Sequence, residues 1–221
     1  MAVRVTWASR VVPWASLVLV GVVLSGCNRS LSYYSHTSSS GVDNYFAVPA
    51  GWHSLSTADV LHIVDPRMSA VQVRQVESQI WLRAFLGNPK QGVGNLSLLA
   101  KNLFGEAIAR PLGKSASSYK AKDLRSALLN VDPVAAARSG NPYFRVVSYR
   151  SISRPGGLTG SRFVVDITYK GHTYTVAQEG LFDHANGSIY LIGFGCEASC
   201  FESHRGVIAK VLNTWNVKEP K

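Results

Sequence analysis

Three short connections in the C-terminal third constrain this chain more than any other feature. Tyr143 to Ser153 alternates as a strand, and Arg154-Pro155-Gly156-Gly157 then turns the chain, because proline fixes φ and the glycines accept positive φ. Arg162 to Tyr169 reads as the next strand, with Phe163, Val165, Ile167 and Tyr169 on one face and Asp166 and Thr168 on the other. Lys170-Gly171 is a tight turn, and His172 to Phe182 returns as a third strand. Asn186-Gly187 predicts a type I′ hairpin with positive φ at both central positions, leading into a fourth strand from Ser188 to Phe194. Connections this short join only antiparallel neighbours, so the segment predicts a meander. A helix from about Cys200 to Asn213 follows. Phe201, His204, Ile208, Val211, Leu212 and Trp215 share one stripe and Glu202, Arg205 and Lys210 lie opposite, the pattern of a helix that covers a sheet.

The N-terminal half is less patterned. Tyr45 to Val48 reads as a strand ending in the turn Pro49-Ala50-Gly51, with Trp52 as a core anchor, and Gln79 to Phe85 as another strand. Asn95 to Ile108 and Ala121 to Leu129 predict amphipathic helices, and Ala58 to Val64 fits either a helix or a strand, with strand the preferred reading. No internal repeat is visible. The fold class expected is α+β, an antiparallel meander packed by helices.

The first thirty residues carry an address. Arg4 and Arg10 precede an apolar run from Val11 to Leu24, too short and poorly flanked for an ordinary spanning helix, and small residues lead to Cys27. Leu24-Ser25-Gly26-Cys27 resembles the lipobox of bacterial lipoproteins. The resemblance implies diacylglycerol on the Cys27 thiol, cleavage before it, and acyl chains such as palmitate holding the chain on the extracytoplasmic face of the cell membrane. A plain secretory signal or an uncleaved anchor helix are the alternatives. Asn28 to Val42 is rich in serine and reads as a flexible tether of roughly 20 Å root-mean-square span. The organisation expected is a signal peptide over 1–26, a lipidated cysteine and tether over 27–42, one α+β domain over 43–217 and a tail over 218–221.

Composition bounds the partners. About 175 residues suit one domain with a sizeable core. The formal charge of +10, less two for Arg4 and Arg10, leaves +8 after the leader. Such a domain suits contact with an envelope protein or an anionic polymer or lipid, and equally suits a domain that is merely soluble and charged. Lysines and arginines lack the aromatic interleaving of a nucleic-acid surface, so no nucleic-acid partner is expected. With Cys27 committed to lipid, Cys196 and Cys200 remain in an oxidising compartment where a pair usually bonds. Their disulfide would close a very small loop and mainly pin a strand-to-helix corner. A reduced pair or half a metal site are the other possibilities, though no histidine or second cysteine pair completes a metal set at recognisable spacing.

Phe46-Ala47-Val48-Pro49-Ala50-Gly51-Trp52 resembles the opening of PsbP and Mog1-like domains, and so does the meander with its single closing helix ending in Thr214-Trp215-Asn216-Val217. That superfamily implies an α/β/α sandwich with an antiparallel sheet. Leu124-Arg125, Asp132-Pro133, Gly156 to Arg162, and Gly195-Cys196 through Cys200-Phe201 are similar to a group of actinobacterial lipoproteins. The resemblance implies fold and location and gives no functional residue.

Chemical motifs are absent. There is no Gly-x-Ser-x-Gly, Walker A string, Gly-x-Gly-x-x-Gly or His-Glu-x-x-His, and Gly193-Phe194-Gly195 reads as strand-end flexibility rather than a dinucleotide loop. His36, His53, His62, His172, His184 and His204 are dispersed, with no pair at the i, i+4 spacing of a helical metal site, so no metal or cofactor is expected. His184 beside Asp183 reads as a solvated turn, and His204 as a hydrogen-bonded core histidine. Asp166, Glu179 and Asp183 either converge for acid–base work or mark a solvent face, the second being the plainer reading. Trp52, Trp81, Phe85, Tyr169, Tyr174, Tyr190 and Trp215 either fill the core or line a groove between sheet and helices. The function expected is a non-catalytic binding or accessory module at the cell envelope. The alternative is an enzyme whose motif-less site lies in the sheet–helix groove.

Overall fold

The C-terminal connections make the expected meander. In the computed structural model, residues 30–218 are described apart from 89, 91, 94 and 95; the leader, Cys27 and residues 219–221 lie outside the described residues. The chain orders as β1 (Leu31–Thr37), β2 (Asp43–Pro49), β3 (His53–Ser56), α1 (Thr57–Val64), α2 (Ala70–Glu77), β4 (Trp81–Leu86), β5 (Phe104–Pro111), α3 (Ala121–Ser126), α4 (Pro133–Arg138), β6 (Phe144–Arg154), β7 (Leu158–Tyr169), β8 (His172–Asp183), β9 (Ser188–Glu197), α5 (Ala198–Thr214) and β10 (Asn216–Lys218). It is an α+β fold. A seven-stranded sheet has the order β3-β4-β5-β9-β8-β7-β6, and a three-stranded one the order β1-β2-β10. Each pairing with a resolved register is antiparallel.

Turn chemistry differs from expectation at one hairpin. The two-residue turn with both central φ positive is Lys170-Gly171, at 51° and 80°, between the partners Tyr169 and His172. The β8–β9 connection is a four-residue loop between Asp183 and Ser188, in which Gly187 has positive φ and Asn186 does not. The Asp183 carboxylate accepts from the backbone N–H groups of Ala185 and Asn186 at 3.0 Å each, and this aspartate-centred turn replaces the type I′ geometry.

Three N-terminal expectations are corrected. Ala58–Val64 lies in helix α1: Ser56 and Asp59 form a capping box that starts the helix before its β-branched residues, and Val60 and Ile63 pack together against the core. Asn95–Ile108 is not a helix. Residues 96–103 form turns and bends that bury Leu98 and Leu103, and β5 starts at Phe104. Gly105 explains the choice, because a Cβ there would collide with the Phe194 ring on β9. The serine-rich tether is strand β1 from Leu31 to Thr37, paired along its length with β2; Tyr34 packs against Phe46 and Phe85, with ring centroids at 5.8 and 5.1 Å.

The large sheet is covered on both faces. On one, α5 and the small sheet bury Phe46, Phe85, Ala177, Leu181, Tyr190, Ile192, Phe194, Ile208 and Leu212. On the other lie α1, α3, α4 and the 96–103 segment, over Phe163, Val165, Ile167, Val176 and Leu191. Strand β9, covered on both sides, is buried from Ser188 to Cys196. Two of the sequence pieces meet here: Asp132 caps α4 through the N–H groups of Val134 and Ala135, while Arg125 of α3 grips its two oxygens at 2.9 Å from Nε.

Helix α5 is fixed at both ends. The Cys196–Cys200 disulfide joins the end of β9 to its first turn, the corner expected from the sequence. At its other end Trp215, 2% exposed, donates from Nε1 to Oδ1 of the fully buried Asn44 on β2 at 2.7 Å. Trp215→Phe is expected to lower stability by about 1–3 kcal/mol in urea unfolding, because Asn44 is left buried without its donor; an unchanged midpoint would refute this anchoring.

Glu106 of β5 stands on the opposite face, in register with Ala84 and Gly193. Desolvation pushes its pKa up to about 7. An unfolded glutamate ionises near about 4.3, so the folded chain holds the extra proton between those values. The resulting stability is fully present below about pH 4 and is lost as pH rises through about 7. Glu106→Gln should therefore gain melting temperature over the parent between about pH 5 and about pH 8, on the order of 5 °C. Parallel pH profiles would show that the carboxyl is not buried.

Candidate functional site

Helix α5 packs on β8 and β9 and on β2, and leaves the same face of β6 and β7 open. The result is a groove of about 480 Å³ between α5 and the sheet. Its floor is apolar: Val164, Ala177, Phe201, Ile208 and Leu212. Its charged rim includes Arg145, Arg162 and Arg205, with Asp166 and Glu202. Strand alternation sets this composition, since Arg162, Val164 and Asp166 on β7 face α5 while Phe163, Val165 and Ile167 enter the opposite core.

The acids are held in separate pairs. Asp166, 9% exposed, accepts from Thr175 Oγ1 at 2.7 Å and is ion-paired with Arg145. Glu179, 1% exposed, lies below the end of the groove; Arg154 Nη2 reaches its Oε1 at 2.7 Å and Arg162 Nη1 is 3.5 Å from Oε2. Burial pushes the Glu179 carboxyl above its ordinary range, while Arg154, Arg162 and Arg150 pull it back. Burial, with Arg150 nearby, holds the Arg162 guanidinium below its ordinary pKa despite Glu179. Arg162 Nη1 also donates to Asn213 Oδ1 of α5 at 2.9 Å, and the Arg154 guanidinium lies 5.6 Å from the Trp215 ring centroid. The sheet's arginines are thus tied to the C-terminal end of α5.

The solvent-face reading of Asp166, Glu179 and Asp183 is therefore corrected. All three are buried, because arginines from β6 and β7 or turn N–H groups meet them there, and they do not share one partner set. His184 is exposed at the hairpin, 2.8 Å from Thr159 Oγ1, and Asp183 turns away from it into the turn. His204 is half-buried and donates from Nδ1 to the Cys200 carbonyl at 2.8 Å. Among the described residues no group of three or more His, Cys, Asp or Glu is placed to hold a metal ion. The seven aromatics singled out in the sequence do not line this groove. Phe85, Tyr190 and Trp215 are core, Trp52 and Trp81 pack against it, and Tyr169 borders a separate apolar pocket on the opposite face with Leu129, Phe144 and Ile167.

The sequence reading missed the arginine cluster. In the linear sequence Arg150, Arg154 and Arg162 are separated by four and eight residues with no clustering, and Arg205 lies opposite the apolar stripe of the last helix. The signal was hairpin register: pairing Arg154 with Leu158 and counting back sets Arg150 directly across from Arg162.

No family model matches this chain, and no curated protein matches it. Among the described residues no helix is long and apolar enough to cross a membrane. Solved structures similar to the chain include cyanobacterial PsbP (CyanoP) from Synechocystis, with 12% identity over 93% of this chain and 99% of that one and a TM-score of 0.47. LpqN of Mycobacterium tuberculosis, described as involved in cell envelope biogenesis, has 9% identity over 87% of this chain and 94% of that one, with a TM-score of 0.45. The Saccharomyces cerevisiae Ran-binding protein Mog1p has 8% identity over 85% of this chain and 96% of that one, with a TM-score of 0.43. Likeness at this level is of fold alone, and no residue, ligand or partner carries across.

Proposed function

We propose that this protein is a lipid-anchored extracytoplasmic module that binds an anionic component of the cell envelope in the groove between α5 and strands β6 to β8. The groove itself carries the reading: an apolar floor beside a rim where arginines outnumber acids. The buried carboxylates of the groove are held by arginines, in Asp166–Arg145 and Glu179–Arg154. That arrangement suits recognition, since general acid–base chemistry needs a group free to exchange its proton with a substrate. The leader ending in Leu-Ser-Gly-Cys27 supports the location. Cys27 is the proposed lipidation site.

Two substitutions separate anchor from groove. Cys27→Ser should move the chain from the membrane pellet to a salt-washed soluble fraction; persistence in the washed pellet would refute the anchor. In the Cys27→Ser background, retention on washed envelope membranes should fall with added salt and drop at least tenfold with Ala209→Phe, which fills the groove from the half-buried face of α5. Equal retention of the two chains, with unchanged melting temperature, would refute the groove as the binding surface.

A further inference from the structure

We propose that Arg150, Arg154 and Arg162 form a receptor for a phosphate-type oxyanion at the end of the groove beside Asn213 and Trp215, with Glu179 as the internal counter-charge that holds the receptor open. This names the ligand class for the groove and rests on that reading of it.

Register is the first support. Arg150 on β6 is paired directly with Arg162 on β7, and Arg162 with Glu179 on β8, so three charges of order plus, plus, minus cross three neighbouring strands on one face. Strands are about 4.8 Å apart, and like charges placed directly opposite destabilise an antiparallel pair. Arg154 reaches the same carboxylate from four residues along β6. Two guanidinium groups therefore grip one carboxylate, and the third lies across the β6–β7 pair from Arg162. The partial negative charge at the end of α5, about half a unit, leaves a surplus of more than one positive charge.

Partnering is the second support. Arg154 and Arg162 are held by Glu179, Asn216, Asn213 and the Trp215 ring, which fixes their forks before any ligand arrives. Arg150 is exposed and has no carboxylate partner among the described residues. Two fixed guanidinium groups beside a free one make a preorganised site with a mobile arm. Planar arginine forks match the oxygens of phosphate with paired hydrogen bonds, and the surplus matches a phosphodiester or phosphomonoester. Asp166 and Glu202 remain with Arg145 and Arg205 further along the groove.

The chain, extracted in an uncharged detergent at low ionic strength, can be titrated with inorganic phosphate and with glycerophosphoglycerol, the deacylated headgroup of phosphatidylglycerol, by calorimetry. Saturable binding of at least one is expected, with Arg150→Gln weakening it tenfold or more, the loss of one charge-assisted pair. Lys170→Gln, on a hairpin by the opposite-face pocket, should leave binding unchanged. Tighter binding of glycerophosphoglycerol would assign the source to lipid headgroups, and tighter binding of inorganic phosphate to the free ion; both support the receptor. Absence of saturation for both probes, or equal weakening by Lys170→Gln and Arg150→Gln, would overturn it. If Ala209→Phe still abolishes envelope retention in that case, the groove stands and only the oxyanion receptor falls.

Discussion

The width of the seven-stranded sheet, set against what covers it, governs this structure. Seven strands span roughly 29 Å, whereas one helix with its side chains is about 10–12 Å across. The small sheet covers one flank, with Phe46 over Phe85, and α5 covers β8 and β9. The disulfide at its start and the Trp215–Asn44 bond at its end set where α5 lies, so β6 and β7 are left open on that face. The groove follows from this shortfall of cover.

An open sheet face must be either polar or matched to a partner, and this one is an uneven mixture. Val164 and Ala177 continue the apolar surface out from under α5, then arginines replace it. Burying Glu179 among them has a cost, visible in its raised pKa, that apolar packing at the same place would avoid. The carboxylate gives the arginines a fixed geometry in return. A face selected only for solubility would gain nothing from crowding three cations near one buried acid, because scattered charges solvate a surface as well.

Legibility in the sequence followed the range of the interactions. The meander and α5 were readable because glycine turns and a 3.6-residue stripe are local signals, and β6 to β9 lie within a residue or a few of the expected limits. Leu96, Leu99 and Leu103 mimic helix spacing, while the opposing fact, a phenylalanine from β9 lying over Gly105, is long-range. In α1 the helix is fixed by the Ser56–Asp59 capping box, a two-residue signal beside the β-branched Val60, Ile63 and Val64 that suit a strand as well. The serines around β1 suggest a tether, although Tyr34 packs half-buried against Phe46 and Phe85 at the edge of the core. Asp166 and Glu179 read as solvated for the same reason: their arginine partners lie 21 and 25 residues away along the chain.

The ordering of β1 also changes the meaning of the proposed anchor. A fifteen-residue flexible tether would let the domain tumble freely above a membrane. With Leu31 already paired to Pro49, only four residue steps separate it from Cys27, at most about 14 Å of extended chain. A lipid on Cys27 would then hold the Leu31 end of β1 close to the headgroups, near Ser30, Pro49, Trp52 and His204, which share one surface cavity. That cavity lies beside the middle of α5, at His204 and Val207, while the arginine cluster lies at its Trp215 end. Nine helical residues from His204 to Asn213, where Arg162 docks, separate the two by roughly 13 Å along the axis. So short a leash turns the location of a charge cluster on the domain into a constraint on which layer of the envelope it can touch.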